Sequence, residues 1–268
     1  MKKKIPTYEA IVIGGGISGM YLAYRLRELG MHFRVFEAGS DVGGTWYWCR
    51  YPGARFDSES WSYGYFFDEE LLQEWEWKEH FSPQPDTLEY LNFVAKKYDL
   101  RRDMSFNARV TAAEFDDKGN HWTVNFEDGS QARATLLITG LGVLSEPTLP
   151  NIPGRDEFKG QAFHTARWPH EPVSFAGKRV GVIGTGATAI QAIPEIAKTA
   201  GHLSVFQRHP NWAAPLHNSK ITSEEQKDIK SRYDEIYARC WETVGCFIHT
   251  PDPRSALDIT PEEREEFW

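Results

Sequence analysis

Ala10-Ile11-Val12-Ile13-Gly14-Gly15-Gly16-Ile17-Ser18-Gly19 is the stretch that decides the fold. A short apolar run from Glu9 to Ile13 ends on glycines and reads as a buried parallel strand. Helical spacing follows from Gly19 to Leu29, with Leu22, Leu26 and Leu29 on one face and Gly30 as the stop. Phe33 to Glu37 is the next strand. Together they form a βαβ unit of the dinucleotide-binding kind. Gly14 permits the tight turn, Gly16 lets a pyrophosphate approach the backbone, and Gly19 lets helix and strand pack closely. The helix start, with Ile17 and Ser18, offers backbone N–H groups and a positive dipole end to phosphates. Glu37 lies 23 residues after Gly14, where a carboxylate can accept hydrogen bonds from ribose hydroxyls.

Further along, Gly39 to Pro85 is rich in Gly, Trp, Tyr and acidic residues and reads as irregular, which in a compact domain usually signals a function. Thr87 to Tyr98 reads as a helix. Thr111 to Phe115 and His121 to Phe126 read as strands joined at Lys118-Gly119, and Ala134 to Thr139 as a buried strand. Pro147, Pro150 and Pro153 mark a linker. A second βαβ unit then begins: strand Arg179 to Ile183, helix Ala187 to Thr199, strand Leu203 to Gln207. Its turn, Gly184-Thr185-Gly186-Ala187-Thr188-Ala189, carries Ala in place of the third glycine, which the motif tolerates. The second strand ends in Gln207-Arg208-His209 and not in an acid. Arg208, 24 residues after Gly184, can pair with a 2′-phosphate, so this site is expected to take NADPH over NADH. The bland alternative is a solvated strand-end arginine. Two such units imply one bound flavin and one hydride donor.

Ser223 to Trp241 reads as one helix opened by a Thr222–Glu225 capping box. Thr260-Pro261-Glu262-Glu263 is another helix start, and the sequence stops at Trp268 with no C-cap signal, which reads as a cut within an element. The expected fold class is α/β: two Rossmann-like dinucleotide-binding units and the start of a helical insertion. The expected domains are 1–145 for FAD, 146–212 for NADP and 213–268 for the insertion. The FAD-domain sheet is expected to be completed by later sequence and to carry an unpaired edge.

The net charge of −8 leaves no positive face for nucleic acid, and Lys2-Lys3-Lys4 reads as a solvated tail. Three cysteines, Cys49, Cys240 and Cys246, form no C-x-x-C pair, which disfavours a dithiol reductase, and no Cys/His cluster has metal spacing. With no signal-peptide pattern and no membrane-length apolar run, the chain reads as cytosolic, without a membrane partner.

The segment Phe158-Lys159-Gly160-Gln161-Ala162-Phe163-His164-Thr165-Ala166-Arg167-Trp168-Pro169 matches the fingerprint F-x-G-x-x-x-H-x-x-x-W-P. On this segment the chain resembles the Baeyer–Villiger monooxygenases, and Gly43 to Trp48 and Arg50 to Asp57 resemble their flavin-contacting segment. The resemblance implies FAD on the first site, with Glu37 on the adenosine ribose, Gly43, Gly44, Thr45 and Trp46 toward the flavin, and Arg55, Asp57, Tyr63 and Val110 also in contact. It implies NADPH on Thr185 to Ile190 and on Gln191, with Arg208 and His209 at the 2′-phosphate. The implied activity is NADPH- and O2-dependent conversion of ketones to esters or lactones through a flavin C4a-peroxide. Asp57 is expected to orient a catalytic arginine that lies beyond Trp268, or to be a simple turn residue. His164 could serve as a base, but a structural or coupling role in the linker is favoured. Two departures stand out: His209 replaces a small hydroxyl residue, and Thr139-Gly140-Leu141-Gly142 is a looser turn than is usual. Family members are about twice as long, so a C-terminal half is expected as a partner. The alternatives are a flavin monooxygenase acting on nitrogen or sulfur, and a silent dinucleotide-binding fragment.

Overall fold

A computed structural model describes residues 5–250, 253–255 and 257–267. Lys2 to Lys4 and Trp268 lie outside the described residues. The chain divides into two compact units: 1–55 with 83–215, and 56–82 with 216–268.

The first unit is built on a six-stranded sheet of order β3-β2-β1-β6-β5-β4. The strands are β1 (Thr7–Ile13), β2 (Phe33–Phe36), β3 (Met104–Ser105), β4 (Val110–Asp116), β5 (His121–Phe126) and β6 (Gln131–Thr139). β1 pairs in parallel with β2 and β6, and β4-β5-β6 form an antiparallel meander. The apolar run reads as expected: Ala10, Ile11 and Val12 are fully buried.

Helix α1 (Ile17–Glu28) connects β1 to β2. Gly30, at φ +67°, ends it. The amide of Gly30 bonds to the Arg27 carbonyl and that of Met31 to the Leu26 carbonyl, the paired bonds of a Schellman stop. The buried face is Gly19, Met20, Ala23 and Leu26. Leu29 is 69% exposed because it sits at the C-cap, past the last residue of that face.

Residues 39–85 are more regular than their composition suggests, with three short helices: α2 (Thr45–Trp48), α3 (Ser60–Tyr63) and α4 (Glu69–Glu74). α5 (Gln84–Lys97) follows. β6 is not the buried strand expected: Ala132 and Ala134 are buried, but Leu136 is 49% exposed. β4, largely exposed, is an edge of the sheet.

After the proline-rich linker, β7 (Arg179–Ile183), α6 (Ala187–Ala197) and β8 (His202–Phe206) form the second βαβ unit. Its two strands pair in parallel as a separate sheet.

In the second unit, the single helix expected over 223–241 is two: α7 (Ser223–Ser231) and α8 (Tyr233–Glu242), broken at Arg232 with φ −120°. Ile229, Tyr233, Ile236 and Cys240 form one buried stripe across the break. That spacing continues through the break, so periodicity alone cannot show it. The capping box at Thr222 and Glu225 is present. A second reciprocal pair, Thr260 with Glu263, opens α9 (Pro261–Phe267).

Candidate functional site

At the first glycine turn the backbone approaches itself too closely for any side chain. Gly14 holds φ +104°, and a Cβ there would lie 2.5 Å from the Gly140 carbonyl oxygen. A Cβ on Gly19 would lie 1.8 Å from the Gly14 carbonyl oxygen, so only glycine lets α1 dock on the end of β1. Gly140 closes the group, its amide bonded to the Ile13 carbonyl at 2.8 Å.

Glu37 sits just past β2 and is 5% exposed. One carboxylate oxygen accepts the Gly15 amide at 2.6 Å and the other the Gly39 amide at 2.6 Å. A carboxylate has about four acceptor positions, so two bonds leave capacity for ribose hydroxyls. Its own carbonyl accepts the Ala108 amide at 2.9 Å, which ties the approach to Val110 at the head of β4 to the same corner. Gly43 and Gly44 come against the turn: the Gly43 amide bonds to the Gly15 carbonyl, and a Cβ on Gly44 would lie 2.7 Å from the Gly16 Cα. Gly16 caps α1 with no side-chain acceptor, and no acid occupies the first turn beside Ile17 and Ser18. A buried acid, a glycine-lined turn and an uncapped positive helix end suit an adenine dinucleotide.

The second turn is open. Gly184 holds φ +99°, and a Cβ on Gly184 or Gly186 would meet nothing within 4 Å. α6 starts at Ala187, followed by Thr188 and Ala189, with no side-chain cap and no acid in its first turn. The Thr185 hydroxyl accepts from Gln207 Nε2 at 3.0 Å and bonds to Asn211 Oδ1 at 3.1 Å, which holds the end of β8 over the turn. Arg208 and His209 are exposed there. An exposed guanidinium beside an open glycine turn suits a 2′-phosphate.

Other candidate residues are engaged elsewhere. His164 caps the 3-10 turn Thr165–Arg167, its Nδ1 accepting the Ala166 amide at 3.1 Å. Trp168 packs between Phe163 and Phe175. Asp57 and Tyr63 belong to the second unit, where Asp57 is exposed and Tyr63 stacks on Phe56 with ring centroids 4.2 Å apart. Trp46 is buried and begins α2 with Thr45, and the Arg55 backbone is bonded at both its amide and its carbonyl to the Gln191 side chain.

Three contributors escaped the sequence reading. Arg167, inside the fingerprint, stacks over the Trp48 ring at 4.9 Å, pairs with Glu146 at 3.8 Å and donates to the Ser145 carbonyl. Partial burial, and after it the charge of Arg50, hold the His170 imidazole below its usual range beside the Tyr47 ring. Gln84, buried, donates from Nε2 to the Trp46 carbonyl at 2.5 Å. Among the described residues, no cluster of His, Cys, Asp or Glu could hold a metal ion, and no helix is long and apolar enough to cross a membrane. The cysteines are free thiols; burial pushes Cys49 up, an effect opposed by Arg167.

A family model described as pyridine nucleotide-disulphide oxidoreductase matches residues 11–247. Acetone monooxygenase (methyl acetate-forming) of Gordonia sp. strain TY-5 is 46% identical over 96% of this chain and 48% of its own length. The 2-oxo-Δ3-4,5,5-trimethylcyclopentenylacetyl-CoA monooxygenase of Pseudomonas putida is 44% identical over 100% of this chain and 50% of its own. A crystal structure of OTEMO in complex with FAD and NADP superposes with a TM-score of 0.91 at 44% identity, covering 98% of this chain and 51% of that one. The chain thus spans about half the length of the curated relatives it matches.

Proposed function

The chain belongs to the pyridine nucleotide-disulphide oxidoreductase family, and from that membership we propose that it is the dinucleotide-binding part of a Baeyer–Villiger monooxygenase. FAD is assigned to the turn at Gly14 and NADPH to the turn at Gly184, with residues 1–145 and 146–212 as the respective domains. One observation carries the assignment. Both glycine turns lead from a strand into a helix, but the next strand is followed in the first unit by the buried Glu37 and in the second by the exposed Arg208. An acid there accepts ribose hydroxyls and repels a phosphate; an arginine attracts the phosphate. The reading is supported by the relatives named as monooxygenases and by a neighbour of known structure that holds FAD and NADP. The dithiol chemistry in the family's name finds no counterpart, since Cys49, Cys240 and Cys246 make no C-x-x-C pair.

FAD held at the first turn would supply the redox chemistry between NADPH and O2. The chain's own residues bind and orient. Glu37 would hold the adenosine end of FAD, and the α1 N-terminus would bind its pyrophosphate. Arg208 and His209 would hold the 2′-phosphate, and the open turn at Gly184 would take the pyrophosphate of NADPH. A ketone and O2 are the proposed co-substrates, and a C-terminal half of the enzyme the proposed partner.

The test is to supply FAD-loaded protein with NADPH, O2 and a cyclic ketone, with a thioether in parallel, first alone and then with a C-terminal half added. Lactone formation supports the reading. Sulfoxide without lactone favours a flavin monooxygenase acting on heteroatoms. Bound dinucleotides without NADPH oxidation would mean that the chain binds but does not turn over by itself.

A further inference from the structure

Gln191 is the fifth residue of α6, one turn past the Gly184–Gly186 turn. Both ends of its side-chain amide bond to a loop far away in sequence. Oε1 accepts from the Tyr51 hydroxyl at 2.8 Å and from the Arg55 amide at 3.3 Å, and Nε2 donates to the Arg55 carbonyl at 2.9 Å. The loop lies directly on the helix: Gly53 holds φ +79°, and a Cβ there would lie 2.3 Å from the Gln191 carbonyl oxygen. The bonds continue inward. The Ala54 carbonyl accepts the Gln84 amide at 2.7 Å, and Gln84 Nε2 donates to the Trp46 carbonyl. The Trp46 amide bonds to the Gly43 carbonyl at 3.0 Å, and the Gly43 amide to the Gly15 carbonyl at 3.1 Å. Gly15 is the residue whose amide Glu37 holds.

The helix behind the second glycine turn is therefore joined to the first glycine turn by a run of hydrogen bonds that passes through the side chains of Gln191 and Gln84. We propose that Gln191 and Gln84 are positioning residues that keep the two dinucleotide sites in register for hydride transfer. The proposal rests on the FAD and NADPH assignment above. Glutamine suits the task because one neutral side chain both donates and accepts. Glutamate could not donate to the Arg55 carbonyl, and leucine would leave the Arg55 amide and carbonyl without these partners.

The test compares FAD-loaded wild type with Gln191→Leu and Tyr51→Phe, using NADP+ as the probe for hydrogen exchange and NADPH as the reductant without oxygen. In wild type, NADP+ should slow amide exchange in residues 45–48 and 51–56. In Gln191→Leu that protection should vanish even in NADP+-saturated protein. Flavin reduction at saturating NADPH should slow at least about tenfold, as a small misplacement of the reacting atoms requires. Tyr51→Phe, which removes the hydroxyl that bonds to Gln191 and keeps the ring, should fall between, and it carries the comparison if Gln191→Leu does not fold. Unchanged protection and reduction rate in the variants would overturn the proposal. So would a loss confined to NADPH affinity, which would make Gln191 a cofactor contact. If wild type itself shows neither protection nor reduction, the dinucleotide assignment fails and the proposal falls with it.

Discussion

At the scale of single residues, the proposed assignment turns on two side chains. Glu37 is buried with an amide on each carboxylate oxygen. Gln in its place presents an NH2 group to one of those amides, leaving a buried donor unpaired at a cost of about 1–3 kcal/mol. Glu37→Gln should therefore lower the thermal midpoint and lose FAD on gel filtration; an unchanged midpoint with FAD retained would exclude this role. Arg208→Ala should weaken NADPH binding about tenfold or more and leave NADH binding unchanged, since a charge-assisted bond to phosphate is worth about 1.5–3 kcal/mol. Equal losses for both nucleotides would move the 2′-phosphate elsewhere. His170 gives a pH signature. Its folded pKa lies below the ordinary value, because partial burial and the Arg50 charge disfavour the imidazolium. The unfolded chain thus takes up that proton first, so the contribution is present above pH 6.5 and is lost as pH falls through the folded value. In an NMR titration the His170 ring should change at lower pH than an unperturbed histidine, and Arg50→Met should raise it part of the way only. Glu37 and Arg208 were legible in the sequence because the glycine motif fixes where the second strand ends. The partners of Gln84 and Gln191 were not. Gln191 meets Arg55 across 136 residues of sequence, and no local pattern records which backbone a side-chain amide will meet.

At the scale of elements, the two glycine turns predict different outcomes for the same substitution. Gly19→Ala forces a methyl to 1.8 Å from the Gly14 carbonyl oxygen, so α1 must lift from β1. Its cost should exceed the ordinary overpacking range of about 1–3 kcal/mol and be visible in chemical denaturation. Gly186→Ala meets open space at φ −71°, so the fold should keep its stability while NADPH affinity falls. Loss of stability in Gly186→Ala with affinity intact would reverse that assignment. The βαβ elements were readable because apolar runs and glycines punctuate them. The rest turned on tertiary effects. The stripe Ile229, Tyr233, Ile236, Cys240 keeps helical period through the break at Arg232. β6 carries an apolar sequence, yet Leu136 is half exposed, since apolarity records what could be buried and not what covers it.

At the scale of the whole molecule, one chain offers two similar nucleotide cradles with opposite charge at the strand end. It follows that the two ligands should not compete. The most direct measurement is calorimetric titration of the protein with FAD, and then of the FAD-loaded protein with NADPH and with NADH. The account predicts one FAD site lost in Glu37→Gln, and a separate site that binds NADPH about tenfold or more tighter than NADH and loses that preference in Arg208→Ala. A single shared site at which NADPH displaces FAD, or equal affinity for NADPH and NADH, would contradict it.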